Sequence, residues 1–245
     1  MNHNSGVLVE LADGIVLTPA EYLKHLPFLV VIMDADKRTI LKVMKTNAVN
    51  AYNNPSFVRI TPVKELNPKL FYFPDDGEIP NSSLPLLVYR KVNRREGPDL
   101  ADWMEVIFSR NGWKNSWRWG IYPYHHYHSN THEVLGVFSG QAMLKIGGAK
   151  GKELSVSPGD ILVIPAGVGH CCVRYSNDFC VIGAYSNDRK PDLNKGLPGE
   201  RPRVDLQLAN VPLPEADPLI GKLAGLSLFW TKPSIAKLFN PLKAG

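Results

Sequence analysis

The sequence predicts an all-β fold, a sandwich or barrel of short strands, on three observations. From Leu70 onward, apolar runs of strand length follow one another, separated by turn-forming pieces such as Gly147-Gly148, Ser157-Pro158-Gly159 and Ser176-Asn177-Asp178. Gly and Pro, 20 residues each, are plentiful enough to favour a turn-rich chain over a helical one. Helical periodicity is clear in a single place, where Leu100, Trp103, Met104 and Ile107 form one apolar stripe.

In chain order, Val7–Leu11 and Ile15–Leu17 read as two short strands across Ala12-Asp13-Gly14, a hairpin signal. Thr18-Pro19-Ala20-Glu21 has the form of a capping box with Pro at the first helical position, and Pro27 keeps that helix short. Phe28–Met33 and Thr39–Met44 flank Asp34–Arg38 as a second hairpin. Asn53-Asn54-Pro55 marks a turn. Phe71–Gly77 is an aromatic strand ending in a turn and Leu84–Arg90 is another strand, with Pro85 near its start, where a missing N–H is tolerated. Gly97-Pro98-Asp99 opens the periodic helix and Asn111-Gly112 ends it. Ala142–Ile146, Lys152–Val156, Asp160–Ile164, His170–Arg174 and Phe179–Ile182 supply the later strands. Residues 186–218, rich in Pro, Asp and Asn, read as an ordered strap along the barrel. The organisation is an N-terminal extension over residues 1–65, a barrel domain over 66–225 and a C-terminal tail over 226–245.

Composition narrows the function. The net charge of +5 is spread along the chain, and Arg90–Arg95 and Arg201–Arg203 are its densest pieces. No nucleic-acid motif accompanies them, so a solvated surface or an anionic small molecule is the expectation. The longest apolar run, Phe28–Met33, is far too short to cross a bilayer. Cys171, Cys172 and Cys180 are too few, and odd in number, for a disulfide framework, which suits a reducing, cytoplasmic setting.

Four of the seven histidines lie between Gly120 and Gly140. Alternate side chains of a strand share a face, so His126 and His128 point the same way. Glu133 returns to that face from the next strand or from a bend, and His170 opens a later strand. Three imidazoles and a carboxylate make a mixed N/O set suited to Fe, Mn, Ni or Zn. By the same alternation His125 and His132 face away, Cys172 shares the face of His170 and Cys171 does not. The two turned-away histidines read as surface groups, or as groups that orient a ligand. Both cysteines read as packed thiols. Tyr124 and Arg174 carry the inward parity and are the candidate substrate contacts, Arg174 through its fork of donors.

These residues resemble the two motifs of the cupin superfamily. Gly120, His126, His128, Glu133 and Gly140 stand at the places of the first motif, with four residues between His128 and Glu133. Gly159, Pro165, Gly167 and His170 stand at those of the second, whose final Asn is here Arg174. The flanking segments resemble single-barrel bacterial cupins of unassigned function. The resemblance implies a cupin-type double-stranded β-helix, a jelly-roll barrel with one or two short helices, carrying the N-terminal β-hairpin extension. It implies His126, His128, Glu133 and His170 as ligands of one divalent transition metal ion, with Glu133 as a catalytic base. The implied activity is that of a dioxygenase- or oxidase-like oxidoreductase on a small chelating organic acid. A sugar-isomerase-like enzyme and a non-catalytic metal-dependent sensor are the alternatives. The implied assembly is a homodimer, with no nucleic-acid or membrane partner.

Overall fold

A computed structural model describes residues 68–230 apart from 94, 96, 223 and 224, and, by backbone pairing alone, five strands before residue 63. Those five are β1 (Val7–Glu10), β2 (Val16–Leu17), β3 (Val30–Asp34), β4 (Thr39–Met44) and β5 (Arg59–Pro62). Both expected hairpins form: β1 pairs antiparallel with β2, and β3 with β4. β1 also pairs with β5, from a stretch without a strand signature. The helix after Thr18 and the turn at Asn53 lie outside the described residues.

The centre of the molecule is a six-stranded antiparallel sheet. Its strands are β6 (Lys69–Phe73), β7 (Ser82–Tyr89), β8 (Trp113–Trp119), β9 (Glu133–Ser139), β12 (Ile161–Ile164) and β14 (Cys180–Ser186), in the order β6-β7-β12-β9-β14-β8. Both faces of its inner strands are covered, so β7, β9, β12 and β14 are apolar on both sides rather than alternating. Leu87, Tyr89, Val134, Ile161, Val163, Ile182 and Ala184 point outward. They pack on helix α1 (Gly97–Arg110), whose Leu100, Trp103, Met104 and Ile107 are all buried, as the apolar stripe requires. Leu226 and Trp230 join this outer core, and the Trp230 indole donates to the carbonyl of Pro85 at 2.8 Å. The beginning of the tail is therefore packed against the sheet.

The alternate residues, including Leu86, Val88, Leu135, Val137, Leu162 and Val181, point inward. They meet a second sheet of β11 (Lys152–Val156), β10 (Ala142–Ile146) and β13 (His170–Tyr175), in that order. Leu144, Ile146, Leu154 and Cys172 fill the space between the sheets. Truncating a fully buried member such as Leu135 to Ala costs about 2–5 kcal/mol.

The strap after β14 crosses one end of this sandwich. It contains a helix, α2 (Arg203–Ala209), whose roughly two turns are too short to show a periodicity in the sequence. A third short helix, α3 (Leu226–Phe229), exceeds the one or two expected. One residue of each dense basic piece is paired. Arg90 meets Asp160 at 2.7 Å, and Arg201 meets Asp75 and Asp205 at 2.7 and 2.9 Å. Among the described residues no helix is long and apolar enough to cross a membrane.

Candidate metal centre

The chain enters the site through the segment His126-Tyr127-His128, which is held on both sides. His126 and His170 exchange backbone hydrogen bonds at 3.1 and 2.9 Å as an isolated antiparallel bridge. Directly opposite residues project to the same side, which brings the two imidazole centres to 4.1 Å. On the other side Tyr127 exchanges bonds with Asn194 of the strap at 2.9 and 3.0 Å. The Tyr127 side chain points away, buried against Ile79 and Val204, with its hydroxyl donating to Glu200 at 2.8 Å. Glu133 enters as the first residue of β9. His170 opens β13 after a turn at Gly167, which needs glycine: φ is +90°, and a Cβ would sit 2.3 Å from the carbonyl oxygen of Asn81.

Each of the three histidines is oriented through its Nδ1. His126 Nδ1 lies 3.3 Å from the carbonyl of Tyr124 and His170 Nδ1 lies 3.2 Å from that of Val168. His128 Nδ1 meets the carbonyl of Asp192. A carbonyl only accepts, so each Nδ1 carries the proton and each Nε2 offers a lone pair. Second partners of this kind fix the ring and tautomer of a metal-binding histidine. Ligand nitrogens of the three rings all lie within 4.8 Å of one another.

Glu133 Oε2 completes the group, 3.1 Å from His170 Nε2 and 3.6 Å from His128 Nε2. Between a carboxylate oxygen and two lone pairs these are contacts of acceptors with acceptors. Accordingly His128 Nε2 and Glu133 Oε2 are buried without a hydrogen-bond partner. A cation among them removes the conflict. The charges respond in the same sense. Burial drives His126 down to about 3, with His170 adding to the shift. Burial also acts against a charge on His128, but the Glu133 carboxylate outweighs it and holds His128 above the usual imidazole value. Burial alone would raise Glu133; His128 and His170 together hold it below the usual carboxylate range. The donor set is buried, mixed N/O and short of positive charge, and it fits a divalent transition metal ion.

These groups form the floor of a cavity of about 320 Å³, whose walls are Trp117, Trp119, Ile121, Tyr122, Leu135 and Tyr185. Tyr185 stands opposite Glu133 in the β9–β14 register. Its hydroxyl accepts from the Trp117 indole at 2.9 Å. Burial first, and the Glu133 carboxylate second, push this phenol above its usual value. Trp117 reaches the wall because Gly183 makes room, a Cβ there lying 2.1 Å from the indole. Asp192 is the other residue without a sequence signal. Its backbone orients His128, while its carboxylate accepts from the Ser129 amide at 2.7 Å and from Asn194 at 3.0 Å.

The remaining expected residues separate. Tyr124 is at the rim, stacked on Tyr122 with ring centres 4.9 Å apart and 6.0 Å from His126. Arg174 is exposed and outside the cavity wall. Met143 pairs with Arg174 but Leu144 with Cys172, so Val173 is an extra residue and strand alternation stops there. His125 does face away from the cluster, its Nε2 3.7 Å from Cys171 Sγ. His132 lies on the outer side, packed on Trp230 with its Nδ1 accepting from the Ala166 amide at 2.9 Å. Cys172 is in the inner core and both vicinal thiols are buried and free.

Residues 120–182 match a family model described as a cupin domain. Over 169 residues the chain is 44% identical to the uncharacterized protein YjlB of Bacillus subtilis (strain 168), a match spanning 69% of this chain and 99% of that one. Acireductone dioxygenase from Bacillus anthracis, solved with a cadmium ion in its active centre, is 13% identical over 55% of this chain and 92% of its own, at a TM-score of 0.29. A deletion mutant of Bacillus subtilis oxalate decarboxylase is 17% identical over 63% of this chain and 35% of its own, also at 0.29. The chain spans less than half the length of most of the solved structures it matches. Overlaps this loose give no basis for transferring an activity.

Proposed function

This chain belongs to the cupin superfamily, and from that premise we propose that it holds one divalent transition metal ion (Fe, Mn, Ni or Zn) through His126, His128, Glu133 and His170. We assign it an oxidoreductase activity of dioxygenase or oxidase type on a small chelating organic substrate. The observation that carries the reading is the convergence of three oriented Nε2 lone pairs and an unpartnered Glu133 oxygen on the floor of a cavity large enough for a small ligand.

A bound ion supplies Lewis acidity and free coordination positions for substrate and dioxygen. The protein supplies the rest. The three Nδ1 contacts keep every imidazole in the ligating tautomer, so no reorganisation is needed on binding. Among the described residues Glu133 is the sole carboxylate of the cavity lining and is held ionised, so it is the base that accepts the proton a chelating substrate releases. Tyr185 hydrogen-bonded to Trp117 forms a wall that limits water beside that carboxylate. Tyr124, at the rim, meets the substrate as it enters. A homodimer, to which residues 1–65 add strands, and a cytoplasmic setting complete the proposal.

Elemental analysis of the purified protein, followed by oxygen uptake against small hydroxy- and keto-acids, tests it. The reading expects one metal per chain and uptake with at least one compound. Full metal occupancy without uptake, but with ligand binding, turns it toward an isomerase or a sensor. Absence of metal in wild type after reconstitution refutes the ligand assignment.

A further inference from the structure

The chemistry of the cavity wall narrows the substrate class, an inference that rests on the metal reading above. Among the described residues Glu133 is the only charged side chain in the lining, and no Lys or Arg faces the cavity. Arg174, the candidate carboxylate receptor, is turned out by the β13 bulge. A divalent ion and one carboxylate with three neutral imidazoles leave a single positive charge on the floor. A singly charged ligand neutralises it. A compact dianion leaves a net negative charge on a buried floor beneath an apolar wall, which is costly without a paired cation.

The wall beyond the floor is aromatic and aliphatic. The Trp117 indole donates to the Tyr185 hydroxyl, and both present ring surface. Ile121 and Leu135 fill in between. Trp119 and Tyr122 line the cavity yet are 76% and 50% exposed, an unusual placement for large aromatics. Tyr122 is stiffened by the Tyr124 ring stacked on it, and Lys195 Nζ sits 4.4 Å from the centre of Tyr124. That Lys therefore braces the rim from outside.

We infer that the substrate is a planar, singly charged chelator with an apolar or aromatic body, of the enolate, hydroxyketone or catechol type, clamped between Trp119 and Tyr122 with its oxygens toward the histidine floor. A polycarboxylic acid is not the substrate. Two oxygens meet the ion, and ring faces meet the body.

Calorimetric titration of metal-loaded protein tests this with two probes, tropolone as the planar monoanion and oxalate as the compact dianion. Tropolone is expected to bind about tenfold tighter or more, because oxalate leaves a buried charge unpaired. Trp119→Ala and Tyr122→Ala are each expected to weaken tropolone about fivefold, the weight of one aromatic contact, with oxalate affinity and metal content unchanged. Oxalate binding as tightly as tropolone, tropolone indifferent to both substitutions, or tropolone stripping the metal instead of joining it overturns the inference. Failure of the metal reading looks different: the protein then takes up no metal, and neither probe distinguishes treated from untreated protein.

Discussion

Each side of the six-stranded sheet has a buried carboxylate, and the two are treated in opposite ways. On the outer side Asp217 is fully enclosed, with both oxygens engaged. Oδ1 accepts from the amides of Leu219 and Ile220 at 2.8 and 3.0 Å, and Oδ2 from the Leu226 amide at 2.8 Å and the Tyr89 hydroxyl at 2.5 Å. On the inner side Glu133 is as deeply buried, but one oxygen faces imidazole lone pairs and lacks a donor. A buried polar group is normally satisfied, so the exception needs a reason. Asp217 ties the C-terminal segment to β7 and is a structural group. Glu133 is kept short of a partner, which is the arrangement of a ligand to something outside the chain.

The largest effect that would break this contrast is on metal itself. His126→Ala or His170→Ala is expected to abolish stoichiometric metal in elemental analysis while circular dichroism stays that of the folded barrel. Next, Asp217→Ala is expected to cost about 3–5 kcal/mol in denaturant unfolding, because buried N–H and O–H groups lose their acceptor, with metal content unchanged. Glu133→Gln sharpens the comparison, since it removes the carboxylate that faces the imidazoles. Metal affinity falls more than the roughly 10–100-fold seen for outer partners of a site. The metal-free protein loses stability as well, because His128 and His170 hold this carboxylate ionised in the folded chain. Asp192→Ala, which loosens the strap that orients His128, should weaken metal by about tenfold.

The smallest effect is one of pH. Burial raises the folded-state value of Asp217 above the ordinary aspartate value despite its four donors. The folded chain then binds more protons than the unfolded one between those two values. This contribution to stability is complete below the unfolded value and is lost as pH rises through the folded one. Asp217→Asn removes that slope, and unfolding of both proteins across mildly acidic pH checks it.

Local patterns in the sequence were readable where the physics is local. The stripe of α1 is a property of one helix, and all four of its marked residues are buried. His126 and His128 share a side by alternation, and the motif spacing brought in Glu133 and His170, whose Oε2 and Nε2 lie 3.1 Å apart. Tyr185 and Asp192 had no such signal. Tyr185 meets Glu133 only through strand register, and Asp192 meets His128 through a strap more than sixty residues on. Arg174 shows the limit of alternation: one bulged residue, invisible in the composition of β13, turns it to solvent. The cupin fold itself was legible because two spaced motifs and many short strands agreed.

The central claim is that the inner cluster is built for a cation that the outer one does not need. Thermal unfolding of metal-free wild type and His126→Ala, each with and without one equivalent of Ni²⁺, tests it most directly. A ligand that binds only the folded state raises the midpoint. The account predicts a clear rise for wild type and none for His126→Ala. A midpoint indifferent to metal in wild type, or raised equally in both, would contradict it.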